Sequence, residues 1–408
     1  MGRSPIASPI TSLQAGKGYR AVTHPTNVAW LLGTDLRPYR VPFLRRLAEE
    51  PSVSLTLFFG QAKTGLGAPP VAPRIPDPRI KPRHIVNRHW PRGQHRVAWQ
   101  SGALKMLTTK EYDVLVVPEV VHNLTVWMIA VLHRLFGKRM ILFGFGYRQL
   151  KAGLFGRVRE RVRRFLLMRS DAIICYTERG RNACVEMGID SKRVFVSQNT
   201  VDTEYLQSLG ETVPTSDTDR VRREIGIGTE PVLIFVGRLV PEKRAEILID
   251  TVRELDSRGV DLSLIVIGEG NERSRLERHA AGMERVHFVG AEYDEYRLAV
   301  YFMVSDLLVV PGRIGLTCVH AFSYGVPTVT SSDRAVDQSP EYDYLDDGKN
   351  SVIVSHPDVA AFADALVQIL ESEETIRSLR TGAKEAANRL TMANMVDQYL
   401  AAVKSTVA

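Results

Sequence analysis

The chain reads as an α/β protein with two doubly wound domains, each built on a parallel sheet. Three observations predict this. Short continuous apolar runs recur along the chain with helix-spaced apolar patterns between them, as expected of strands buried on both faces. The runs form two series separated by a stretch rich in Thr, Ser, Gly and acidic residues. The 408 residues exceed one typical domain, and a 44% hydrophobic content supports a full core in each half.

In chain order, residues 1–26 carry Ser, Pro, Thr and Gly without an apolar block and read as a disordered tail. The first domain, 27–208, has strand candidates at 28–32, 55–59, 114–117, 140–143, 172–175 and 194–197. A long Pro-rich loop is expected around residues 74–96. Residues 209–225 read as a linker, and 226–390 as a second domain with strands at 233–235, 264–267, 286–288, 307–310 and 328–330. Residues 391–408 form a last helical segment. Ligands of such sheets bind at the carboxyl ends of the strands, so two facing sheets define a cleft.

Composition narrows the partners. A net charge of +7 favours an anionic partner, but the aromatics are scattered among core strands instead of interleaved with basic residues, which speaks against nucleic acid. Cys175, Cys184 and Cys318 are odd in number and far apart, so they read as small core residues of a reduced compartment. No run approaches the ~20 consecutive apolar residues of a transmembrane helix, and a cytoplasmic location is expected. Asp217-Thr-Asp219 is spelled like a metal-binding pair, but it precedes a helix, where Asp is an ordinary N-cap. No metal is expected. In residues 155–169, Val158, Val162, Phe165 and Leu166 lie on one side of a helix and Arg157, Arg161 and Arg164 on another, the pattern of a peripheral contact with an anionic membrane or of a solvated sheet-covering helix.

Two turns carry the chemistry. After the apolar run 232–235, Gly237 permits a sharp turn, and Arg238 and Lys243 stand beside the start of a helix with unpaired N–H groups. Such a loop suits a diphosphate, though a surface loop that is merely basic has the same spelling. Residues 306–330 repeat the arrangement: Gly312 and Gly315 flank a turn, and Leu316 and Thr317 open a short helix.

These two turns, with Gly268-Glu-Gly270 between them and the stretches at 176–180, 188–202 and 286–290, resemble the glycosyltransferases of family 4. The resemblance implies the GT-B architecture, two Rossmann-like domains facing across a cleft, with residues 393–403 as the helix that crosses back to the first domain. It also implies transfer of a hexosyl or deoxyhexosyl group from a nucleotide diphosphate sugar to a carbohydrate, lipid-linked or small-molecule acceptor, with retention of configuration. No further cofactor is implied, and GDP, UDP and dTDP sugars remain open. Arg238 and Lys243 would stabilise the departing diphosphate, with Gly237, Gly290, Gly312, Arg313, Ile314, Gly315, Leu316, Thr317 and His320 around the donor.

The sequence departs from that family at three places. The two glutamates usually found eight residues apart are replaced by Gly312 and His320. His320 can still hydrogen-bond a ribose, while Arg313 and the Ile314 amide are left to complete the sugar pocket. The His often found between the glycines of the first-domain loop is Phe145 here, within Gly144-Phe-Gly-Tyr-Arg148. The acceptor side is expected at Gly33, Tyr39, Arg40, Glu119, Phe145, Tyr147 and Arg148. A non-catalytic relative that binds a nucleotide sugar or a partner enzyme, and a sugar-nucleotide epimerase, are the competing readings.

Overall fold

The structure is a computed structural model that describes residues 24–33, 36, 38–60, 77–90, 97–147, 154–332 and 338–407. The expected tail falls almost wholly outside them.

The first domain contains β1 (Thr26–Leu31), α1 (Val41–Glu49), β2 (Val53–Phe59), β3 (Ile80–His84), β4 (Val86–Trp90), β5 (Val97–Ser101), α2 (Lys105–Thr108), β6 (Val114–Pro118), α3 (Leu124–Leu132), β7 (Arg139–Gly144), α4 (Leu154–Arg169), β8 (Ala172–Cys175), α5 (Glu178–Glu186) and β9 (Val194–Val196). Seven of these strands form a parallel sheet in the order β3-β2-β1-β6-β7-β8-β9, and β4 and β5 form a separate antiparallel hairpin. The expected Pro-rich loop is therefore corrected: residues 80–90 are strands. Pro82 is tolerated because β3 is an edge strand, where one missing N–H breaks no second ladder.

The expected linker is also corrected. Residues 203–224 form α6 (Thr203–Thr212) and α7 (Thr215–Glu224), whose Leu206 and Val221 join the core of the second domain. Asp217 is not an N-cap. Pro214 holds that position, and Asp217 in the first turn accepts from the Tyr296 hydroxyl at 2.6 Å.

The second sheet is built from β10 (Val232–Val236), β11 (Ser263–Ile267), β12 (Val286–Gly290), β13 (Leu307–Val310), β14 (Thr328–Ser331) and β15 (Ser351–Val354). Their order is β12-β11-β10-β13-β14-β15, all parallel. Helices α8 (Ala245–Ser257), α9 (Arg273–His279), α10 (Glu295–Val304), α11 (Thr317–Ser323), α12 (Val359–Leu370) and α13 (Glu373–Arg389) cover it. The last helix, α14 (Met392–Val407), packs on the first sheet, where Tyr399 stacks on Trp30 at 5.0 Å.

The domains touch at named points. Asn199 of the first donates to Glu341 of the second at 2.6 Å. The Tyr344 hydroxyl donates to the carbonyls of Asn199 and Tyr176 at 3.1 and 3.3 Å. The strand ends of both sheets therefore open towards one cleft.

Candidate functional site

The second-domain half of the site rests on backbone-to-backbone packing of two loops. Gly312 N donates to the Lys243 carbonyl at 3.1 Å, and Arg313 N to the Glu242 carbonyl at 2.8 Å. A Cβ at Gly312 would collide with the Glu242 carbonyl, so a glutamate cannot stand there without moving the loops apart. The same holds at Gly268, where a Cβ would meet the Gly237 carbonyl. Glycine at 312 is thus what lets the β10 and β13 loops touch.

This contact positions Lys243. It precedes Arg244, whose φ of 51° is the left-handed conformation that non-glycine residues adopt at a cost. The Lys243 ammonium lies beside Gly237 and Gly315 and donates to the Arg313 carbonyl at 2.6 Å. Desolvation lowers its pKa to about 8; Cys318 and Glu341 partly offset this, while Arg313 and Arg238 add to it. Arg238 is exposed, and among the described residues neither its guanidinium nor that of Arg313 has a hydrogen-bond or ion-pair partner. Arg238 and Arg313 therefore lie within charge range of Lys243, with Glu341 as a partial counter-charge, an arrangement that a further anion would relieve.

The adjoining helix α11 adds donors. Its N-cap residue Leu316 makes no side-chain cap, and the N–H groups of Gly315, Leu316 and Thr317 have no acceptor among the described residues. The Thr317 hydroxyl is buried with no partner, although buried polar groups are ordinarily paired. His320, one turn further on, is partly exposed, and desolvation lowers its pKa to about 4, so the ring is neutral at pH 7. Gly290 ends β12 with φ 93°, its carbonyl accepting from Gly268 N at 2.7 Å.

One expectation fails here. The Ile314 amide is not free for a sugar: it donates to the Gln338 side chain at 3.0 Å, and Ser339 holds the Ile314 carbonyl at 2.7 Å. Gln338, Ser339 and the buried Glu341 escaped the sequence reading because they follow β14 and reach the loop only through the fold.

On the first-domain side, Arg40 donates to the hydroxyls of Tyr39 at 3.3 Å and Tyr176 at 3.2 Å. The Tyr176 carbonyl accepts from the Tyr344 hydroxyl at 3.3 Å, and Ser339 of the same segment donates to the Ile314 carbonyl at 2.7 Å, so residues 339–344 join the Tyr39, Arg40 and Tyr176 side to the loop that Lys243 contacts. Phe145 is exposed at this rim and meets Tyr176 edge-on at 5.5 Å. The Tyr147 ring carries the Arg179 guanidinium at 4.5 Å. Gly33 is exposed beyond β1, and Arg148 lies outside the described residues.

Glu119 is corrected. Its carboxylate is buried, accepts from Gly146 N at 2.7 Å and pairs with the buried Arg163 at 3.1 Å. Its carboxylate is engaged in holding the 144–147 loop in place. The same pair corrects the expected faces of α4: Leu166 is buried with Arg163, whereas Val158, Phe165 and Met168 are exposed beside Arg157, Arg161 and Arg164. Among the described residues no group of three or more His, Cys, Asp or Glu could hold a metal ion, and no helix is long and apolar enough to cross a membrane.

Residues 54–205 match the family model described as Glycosyltransferase Family 4, and residues 230–372 the one described as Glycosyl transferases group 1. A GDP-mannose-dependent alpha-(1-6)-phosphatidylinositol dimannoside mannosyltransferase of Mycobacterium tuberculosis is 31% identical over 169 residues, 41% of this chain and 42% of that protein. An alpha-D-kanosaminyltransferase of Streptomyces kanamyceticus is 25% identical over 235 residues, 54% of this chain and 58% of that protein. The chain thus spans about half the length of these curated relatives. Among solved structures, Anabaena HepE in complex with UDP superposes with a TM-score of 0.69 at 17% identity, covering 93% of this chain and 100% of that one. Matches across both domains, on this two-sheet architecture, show that the chain belongs to glycosyltransferase family 4.

Proposed function

We propose that this protein transfers a sugar from a nucleotide diphosphate sugar to an acceptor hydroxyl. The observation that carries the reading is the convergence of Lys243, Arg238 and Arg313 on a turn whose amides and Thr317 hydroxyl lack partners. A diphosphate supplies the missing acceptors and neutralises the cations. As the donor bond breaks, negative charge grows on the leaving oxygen, and preorganised cations there stabilise the transition state more than the ground state. With Phe145 in place of a basic side chain, the leaving diphosphate oxygen itself takes the acceptor proton, a route that fits retention. His320, neutral, is assigned to the ribose, and Gly290 to the base edge.

The acceptor enters between Tyr39, Arg40, Phe145 and Tyr147. We assign it to the glycan or lipid-linked class, in line with the phosphatidylinositol dimannoside named for one relative. The absence of carboxylates at Gly312 and His320 favours one alternative, a binder that does not turn over. Incubation with UDP-, GDP- and dTDP-sugars separates the two. Slow release of free nucleotide diphosphate from one donor supports transfer chemistry; tight binding with no release under any condition supports the non-catalytic reading.

A further inference from the structure

Helix α3 is apolar on nearly its whole circumference, yet it covers the first sheet with one side only. Val126, Ile129 and Ala130 are buried against the sheet. The opposite side continues into the following turn as an exposed stripe: Leu124 (46%), Met128, Val131 (50%), Leu135 (80%) and Phe136. That spacing is the i, i+4, i+7, i+11 of one helix face. α4 lies alongside it, joined by the stacking of Trp127 on Phe165 at 5.9 Å, and adds exposed Val158 and Met168. A contiguous apolar surface of this kind marks an interaction site more often than a soluble face.

The charge around it identifies the occupant. From residue 119 to 171 the sequence has eleven Lys and Arg against three carboxylates; Glu119 and Asp171 at the ends pair with Arg163, Arg134 and Arg139, and Glu160 lies within. Glu160 is engaged with Arg163 at 2.6 Å. Arg157, Arg159, Arg161 and Arg164 are exposed and have no carboxylate partner among the described residues. A second copy of the chain would set these arginines against one another across a two-fold axis, which disfavours self-association. A membrane surface has the complementary chemistry, with anionic headgroups for the arginines and an acyl boundary for the apolar stripe.

We propose that the α3–α4 face docks this protein on an anionic lipid bilayer. Both helices begin at the carboxyl ends of β6 and β7, the rim on which Phe145 and Tyr147 stand, and the apolar stripe runs from that rim to the far end of the sheet, so docking lays the flank of the first domain on the bilayer. The docking stands apart from sugar transfer, and each can fail without the other.

The test is co-sedimentation of the full chain with phosphatidylcholine vesicles, with and without phosphatidylglycerol, at low and high salt. Binding is expected only with the anionic lipid and is lost at high salt. Reversing three cations (Arg157→Glu, Arg161→Glu, Arg164→Glu) should weaken binding at least about a hundredfold. The pair Val131→Asp with Leu135→Asp, at exposed positions that leave the fold intact by circular dichroism, should abolish it. Release of nucleotide diphosphate from soluble donor should be unchanged in both variants. No association at low salt, binding that survives the Val131/Leu135 variant, or a wild-type dimer that this variant dissociates would each overturn the proposal.

Discussion

Lys243 concentrates the argument at the residue scale. Its folded pKa of about 8 lies below that of an exposed lysine, so from about pH 8 to 10.5 the unfolded chain binds more protons than the folded one. Stability of the ligand-free protein therefore rises with pH across that window, and below it the desolvated charge costs up to about 3 kcal/mol. Lys243→Met should raise the melting temperature at pH 7 while abolishing nucleotide binding; a drop in both would return the lysine to a structural role. Because a bound diphosphate favours the ammonium, wild-type affinity should hold below pH 8 and fall by up to about tenfold per unit above it. Removal of His320 (His320→Ala) should weaken nucleotide binding by about 1 kcal/mol with no pH dependence between 6 and 8, since the ring is already neutral. Titration calorimetry across pH reads both. The Gly237, Arg238 and Lys243 cluster was visible in the sequence because one short segment contains it. Thr317 was visible only as a helix start, and its unpartnered hydroxyl needed the fold. Gly312 looked like a lost carboxylate, but it is a contact point between two backbones. Gly312→Glu should accordingly lower stability and activity together, whereas His320→Glu, on a partly exposed helix face, should fold.

Among the elements, the buried strands of both sheets were legible because parallel strands covered on both faces are written as uninterrupted apolar runs. The edges were not. β3 alternates basic residues around Pro82 and buries only Ile80, and β15 has four residues beginning with Ser351. α6 and α7 were misread because Thr, Ser and acidic residues on their outer faces masked the few apolar residues, Leu206 and Val221, that join the second core. α4 shows the converse error: arginine spacing alone does not reveal that Arg163 points inward to Glu119 and the Gly146 carbonyl, at 3.1 and 2.7 Å. Arg163→Ala should cost about 3 kcal/mol by removing the guanidinium paired with the buried Glu119 carboxylate, against a smaller loss for the exposed Arg164→Ala. Chemical denaturation measures both, and equal midpoints would mean that the ion pair does not hold the 144–147 loop.

At the scale of the whole molecule, function requires the two sheets to meet with their strand ends facing. The sequence supplied the two α/β halves but not their contact: Asn199 stands in the recognisable 188–202 stretch, but its partners Glu341 and Tyr344 are distant in the chain and belong to no motif. These bonds place the Arg40 and Tyr176 side of the cleft near the Lys243 cations, the juxtaposition that transfer between a donor and an acceptor needs. The central claim is that a nucleotide diphosphate occupies the Arg238–Lys243–Thr317 turn. It is tested most directly by thermal shift of wild type, Arg238→Ala and Lys243→Met against UDP, GDP, dTDP and ADP. The account predicts that one nucleotide stabilises the wild type, by about 2.7 kcal/mol at a hundred times its dissociation constant. It predicts that neither variant responds. Stabilisation of all three proteins alike, or of none by any nucleotide, would contradict it.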